Sequence, residues 1–208
     1  MKITSLGVYK GTTYVIDTDD GRKFYLHADI VADYGLRAGI ELDRAKLREI
    51  IYASNFRRAY QYAMYRLDYR EHSAKEMLGK LVRTYKNEAL CSAVVDKLIS
   101  GGFIDDKRYA ERLARKYVVS KKYGRRRAER EMILKGIDKD TAGDALEKYE
   151  DVYAENLESL LETKYARFLA DSRDIKTVSK AKNALVRYGY GFDEINRAVR
   201  EYFENSED

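Results

Sequence analysis

Four core-type positions in one helix-like stretch, Cys91, Val94, Val95 and Leu98, return as Ala142, Ala145, Leu146 and Tyr149 after 51 residues. After a further 53 residues they return as Ile195, Ala198, Val199 and Tyr202. A chain that repeats its buried face at this spacing is built from stacked copies of one small helical unit, because a single copy cannot bury a large core alone. Two more apolar stripes precede each copy at helical spacing. They are Tyr60, Met64 and Leu67, then Met77, Leu78, Leu81, Val82 and Tyr85, before the first. Tyr109, Leu113 and Tyr117, then Ala128, Met132 and Ile133, precede the second. Leu157, Leu160, Leu161 and Phe168, then Val178, Ala181 and Leu185, precede the third. The pattern predicts a mainly α fold of three tandem three-helix repeats, at 51–103, 104–150 and 151–208, stacked into an elongated, curved array.

None of the 208 residues is proline, which suits a chain made of helices whose interiors proline would break. The first fifty residues read differently. Thr13-Tyr14-Val15-Ile16 and Lys23-Phe24-Tyr25-Leu26 flank Asp19-Asp20-Gly21, and Asp-Gly between β-rich runs signals a hairpin. Met1 to Tyr9 offers a third strand turned at Gly11, and Ala28 to Tyr34 a short helix ended by Gly35. Residues 1–50 are therefore expected to form a small β-rich N-terminal segment. Asp43 reads as the N-cap of the first long helix, which the sequence places an interruption in near Ser54-Asn55.

Charge is distributed in blocks. Between Lys107 and Lys135 stand twelve Lys/Arg and three Glu, a local net of +9 in a chain whose total is +5. Gly136 to Thr163 reverses this, with two Lys against nine acids. Blocks of this kind choose partners rather than folds, since a dense positive field attracts polyanions. Arg115, Lys116, Lys121, Lys122, Arg125, Arg126, Arg127 and Arg130 are the residues expected to meet single- or double-stranded DNA through its phosphates. The tyrosines Tyr117, Tyr123 and Tyr149 are read as core or boundary residues rather than as stacking platforms for bases.

Catalytic signatures are absent. There is no phosphate-binding glycine loop, no serine elbow, and no HExxH spacing for His27 and His72. Cys91 is the only cysteine, which excludes an intrachain disulfide and a thiolate metal cage and leaves it as a small core hydrophobe. No apolar run approaches membrane-spanning length, and Met1-Lys2-Ile3 opens no signal peptide. The chain is expected to be a cytoplasmic monomer that is not an enzyme and uses no cofactor or metal.

The segment Leu98-Ile99-Ser100-Gly101-Gly102-Phe103-Ile104-Asp105-Asp106-Lys107-Arg108-Tyr109-Ala110 resembles the signature of the RecX family of recombinase regulators. Tyr65-Arg66-Leu67-Asp68-Tyr69-Arg70, followed by Ser73-Ala74-Lys75-Glu76-Met77, is similar to the family's first-unit pattern. Lys122-Tyr123-Gly124-Arg125-Arg126-Arg127 and Leu134-Lys135-Gly136-Ile137 match its second unit, and Val186-Arg187-Tyr188-Gly189-Tyr190 looks like its weaker third. The likeness runs from Arg57 to Phe203. It implies a non-catalytic modulator that binds the RecA–DNA filament and inhibits recombinase ATPase and strand exchange, with roles in DNA repair and recombination. Two other readings follow from the residues alone. Paired helices at 73–85 and 87–100 suit a stand-alone helix-turn-helix DNA-binding protein, and the acidic stretch suits a scaffold that binds only protein.

Overall fold

The computed structural model describes residues 1–169 and 174–205. Parts of the third expected repeat, 170–173 and 206–208, lie outside the described residues. The fold is mainly helical with a small N-terminal sheet, and the chain divides into two compact units, Met1–Ile104 and Asp105–Asp208.

In the first unit, β1 (Ile3–Lys10), β2 (Thr13–Thr18) and β3 (Lys23–His27) form an antiparallel meander in the order β1-β2-β3. Gly21, at φ +78°, supplies the left-handed residue of the β2–β3 turn. The register pairs Ile16 with Phe24 and Tyr14 with Leu26. One face therefore buries Ile16 and Leu26 with Ile3, against Ile30 and Val31 of α1 (Ala28–Asp33).

The next helix, α2 (Arg44–Tyr69), is uninterrupted, which corrects the break expected at Ser54-Asn55. Serine disfavours helix interiors because its hydroxyl competes for backbone groups. Here Ser54 is buried, and its hydroxyl accepts the His27 backbone N–H at 2.8 Å instead. The same helix serves two cores. Leu47 and Ile50 join the sheet, while Ala59 and Ala63 pack with α3 (Ala74–Tyr85) and α4 (Glu88–Ser100) around Met77, Leu81, Cys91 and Val94. Cys91 is fully buried, and burial pushes its thiol up in pKa, as expected of a core residue.

The second unit contains α5 (Asp106–Arg115), a π-helical turn over Lys116–Ser120, α6 (Arg125–Leu134), α7 (Lys139–Glu147) and α8 (Glu150–Thr163). A 3-10 turn at Ala166–Phe168, α9 (Ile175–Tyr188) and α10 (Phe192–Glu204) complete it. Its core is a single cluster running from Tyr109 and Leu113 through Met132 and Leu146 to Leu161, Leu185 and Ile195. The repeating positions of the sequence fall on α4, α7 and α10, except Tyr149, which lies just past α7 at the N-cap of α8. Cys91, Val94, Val95, Leu98, Ala142, Ala145, Leu146, Ile195, Ala198 and Val199 are buried, and Tyr149 and Tyr202 pack at the edge.

Most helix starts are written in the sequence as side-chain caps. Asp43, Ser73, Asn87, Asp105, Asp138 and Asp174 each accept a backbone N–H from the third residue on. Among the described residues, no helix is long and apolar enough to cross a membrane.

Candidate nucleic-acid interface

The basic block lies on α5, the π-turn and α6. The stripe expected to continue α5 through Tyr117 instead widens into the π-turn, where Lys121 donates its N–H to the Lys116 carbonyl at 3.1 Å. This insertion buries both Tyr117 and Val118. The carbonyl of Val118 is satisfied by the buried Asn156 side chain of α8, whose Nδ2 donates to it at 3.0 Å. Such turns recur at functional positions because they re-aim the residues beside them.

Beyond the π-turn the chain reverses through Lys122, which adopts φ +52°. A left-handed lysine is costly by ~1–2 kcal/mol and persists only where its surroundings hold it. Here Tyr190 donates its hydroxyl to the Lys122 carbonyl at 3.0 Å, and Lys122 Nζ donates to Ser159 Oγ at 2.5 Å. Gly124 then crosses Gly189 so closely that its N–H donates to the Tyr188 carbonyl at 2.9 Å.

Arg127 plugs the same seam. Its guanidinium lies 4.0 Å from the centre of the Tyr123 ring and 5.6 Å from that of Tyr188, and it donates to the Arg187 carbonyl at 3.1 Å. Tyr123 stacks on Tyr117 at 5.9 Å and meets Tyr188 edge-on at 5.7 Å. Lys164 also lies over Tyr188, 4.4 Å from the ring centre, and donates to its hydroxyl. That hydrogen bond holds the Lys164 ammonium pKa above its ordinary value. Burial pushes the phenol of Tyr117 up as well, so the ring stays neutral.

The eight basic residues expected to meet DNA therefore have two kinds of surroundings. Lys122, Arg125 and Arg127 are engaged within the fold, Arg125 through an ion pair with Glu150. Arg115, Lys116, Lys121, Arg126 and Arg130 are exposed, with no ion pair among the described residues. Lys121 is exposed while its ammonium lies about 5.5 Å from the centres of the Tyr117 and Tyr123 rings, which anchor it beside the π-turn. Arg126 and Arg130 stand one turn apart on α6, so they project together.

Arg108 and Arg112, which lie outside that set of eight, share the exposed side of α5 with Arg115. Their spacing of four and three residues is the sequence signal that places them there. Tyr117 and Tyr123 are tied up with one another, and Tyr149 packs on the core. None of the three is presented as a platform for bases.

A family model described as the second three-helix domain of RecX matches residues 105–146, which contain all eight basic positions. Regulatory protein RecX of Bacillus velezensis is 28% identical over 212 residues, covering 99% of this chain and 80% of that protein. The corresponding protein of Bacillus subtilis is 27% identical over 211 residues, with 99% and 79% covered. A crystal structure of regulatory protein RecX superposes with a TM-score of 0.70 at 22% identity, covering 94% of this chain and 97% of that one, and shares the fold. The crystal structure of RecX from Lactobacillus salivarius is 30% identical, with a TM-score of 0.65 over 72% of this chain and 97% of that chain. The chain belongs to the RecX family. In this RecX-family member the matched domain is the one that carries the π-turn, Tyr117 and Tyr123 of the aromatic seam, and the exposed basic residues.

Proposed function

We propose that this chain binds the filament that a RecA-type recombinase forms on DNA and lowers the filament's ATPase and strand-exchange activity, without catalysis of its own. The observation that carries the reading is the exposure of five basic residues, Arg115, Lys116, Lys121, Arg126 and Arg130, in a RecX-family domain. These cations are exposed, carried on one short stretch of the chain and free of acidic partners among the described residues, which suits them to phosphates of single- or double-stranded DNA. Flexible side chains of this kind position a protein on a backbone rather than read bases. The chain acts as a monomer in the cytoplasm, and its repeats at 51–103, 104–150 and 151–208 supply separate contacts along the filament. Holding neighbouring recombinase subunits in one arrangement opposes the changes that turnover requires, to the extent that one state is bound better than another.

The helix-turn-helix reading has less support. The exposed positions of α4 include Glu88, Asp96 and Lys97, a poor set for base edges. The test is the ATPase rate of the cognate recombinase on single-stranded DNA as this protein is titrated in. The rate falls with occupancy if the proposal holds. A rate unchanged while the protein binds a particular duplex sequence would favour the helix-turn-helix alternative.

A further inference from the structure

The DNA contact proposed above makes no use of the acidic stretch of the sequence. Its residues on α8 face further acids on α10 across a groove inside the second unit. One hollow of this groove, about 150 Å³, is floored by Tyr153, Leu157 and Ala198 and rimmed by Glu158, Glu194 and Glu201. A second, about 440 Å³, shares Glu158, Ala198 and Glu201 with the first and adds Glu162 and Glu204. Among the described residues, Arg197 is the single basic one lining either.

Apart from Glu194, which caps α10, these acids make no side-chain hydrogen bond or ion pair that serves the fold among the described residues. Glu158 and Glu162 stand one turn apart on α8, as do Glu201 and Glu204 on α10, and like charges at that spacing weaken a helix. Glu194 caps the Gly191 N–H at 2.7 Å. Glu158, Glu162, Glu201 and Glu204 are exposed and make no ion pair among the described residues.

An independent feature lies in the floor. Tyr153 is only 8% exposed, and its hydroxyl has no hydrogen-bond partner among the described residues. Burial pushes this phenol up to about 12, so it stays neutral, and its oxygen, itself buried, keeps an unused acceptor lone pair beneath the groove. A metal ion is not the fitting cation, because no three or more His, Cys, Asp or Glu among the described residues are placed to ligate one. An apolar floor with an acidic rim matches the aliphatic stem and charged head of arginine.

We propose that the groove between α8 and α10 docks an arginine-rich segment of a partner protein, with one guanidinium over the Tyr153 floor and its basic neighbours on the glutamate rim. The inference stands on the groove alone and does not depend on the DNA contact proposed for the exposed basic residues.

The test is fluorescence anisotropy of the full chain with a labelled peptide of alternating Arg and Ala, and with the same peptide carrying Glu in place of Arg. Binding of the first and not the second is expected. Glu158→Lys with Glu201→Lys weakens it at least about ten-fold. Asp144→Lys with Glu147→Lys, an equal charge change at exposed sites on α7, alters it less than about two-fold. Tyr153→Phe weakens it with the rim charges intact, and circular dichroism verifies that each variant keeps its helices. Absence of binding, or equal loss from the groove and α7 pairs, would overturn the proposal. So would self-association of the wild-type chain that the groove pair abolishes, since that assigns the groove to a second copy.

Discussion

Gly124 and Gly189 set the closest approach in the second unit. A Cβ on Gly124 would stand 2.4 Å from the Gly189 carbonyl carbon and 2.6 Å from the Tyr190 nitrogen, both backbone atoms that cannot swing aside. Gly124→Ala is therefore expected to destabilise the protein by about 2–3 kcal/mol, read as a lower urea midpoint. Gly189→Ala adds a left-handed conformation, φ +99°, to a similar clash and should be at least as damaging. The seam also separates the roles of neighbouring arginines. Arg127→Ala removes the guanidinium from both rings and from the Arg187 carbonyl, for about 1–2 kcal/mol. Arg126→Ala and Arg130→Ala should change stability by less than about 0.5 kcal/mol, because both side chains are solvated. A variant that includes Arg127 thus perturbs the fold as well as the surface.

The elbow between α2 and α3 makes stability depend on pH. Buried His72 sits 3.8 Å from Glu76, which also accepts from Arg70 and lies near Lys80. Burial holds the His72 pKa below its ordinary 6.5, while the Arg70 carbonyl and Glu76 pull weakly the other way. The unfolded chain then takes up the proton first, so His72 costs stability as pH falls below 6.5. Burial raises Glu76, but Arg70, His72 and Lys80 together outweigh it, so its pKa is lowered from 4.5 and its contribution is lost only at lower pH. The urea midpoint should fall between about pH 7 and about pH 5, and His72→Gln should flatten that slope. Much at this scale is legible in the sequence. Asp43, Ser73, Asn87 and Asp105 announce their helices, and Gly35 ends its own, because caps are local chemistry. The continuity of α2 is not legible there, since the partner that absorbs the Ser54 hydroxyl lies 27 residues away in β3. Nor is the π-turn, because a helical stripe does not register one inserted residue until Asn156 of α8 is seen to hold it.

Across the whole chain, the repeat period and the charge blocks can be read in the sequence, but the allocation of the eight basic residues to fold or surface cannot. It depends on Tyr188, Ser159 and Glu150, which meet the block only after folding. The shared core of the second unit has a consequence for truncation. Ending the chain after Tyr149 would strip Leu157, Leu161, Leu185 and Ile195 from the cluster that buries Leu113 and Met132. The remaining part of that unit is expected to lose helicity and become protease-sensitive, so such a truncation cannot isolate the filament contact proposed for residues 151–208. The central proposal is that the exposed basic residues of the second unit touch DNA phosphates on a recombinase filament. The most direct measurement is the salt dependence of binding to recombinase-coated single-stranded DNA, for the wild type and for Arg115→Ala, Arg126→Ala and Arg130→Ala combined. The triple variant should bind more weakly, with a salt slope shallower by about 0.7 for each phosphate left without its arginine, and inhibit the ATPase less, at an unchanged urea midpoint. Unchanged affinity and slope in the folded triple variant would contradict the claim.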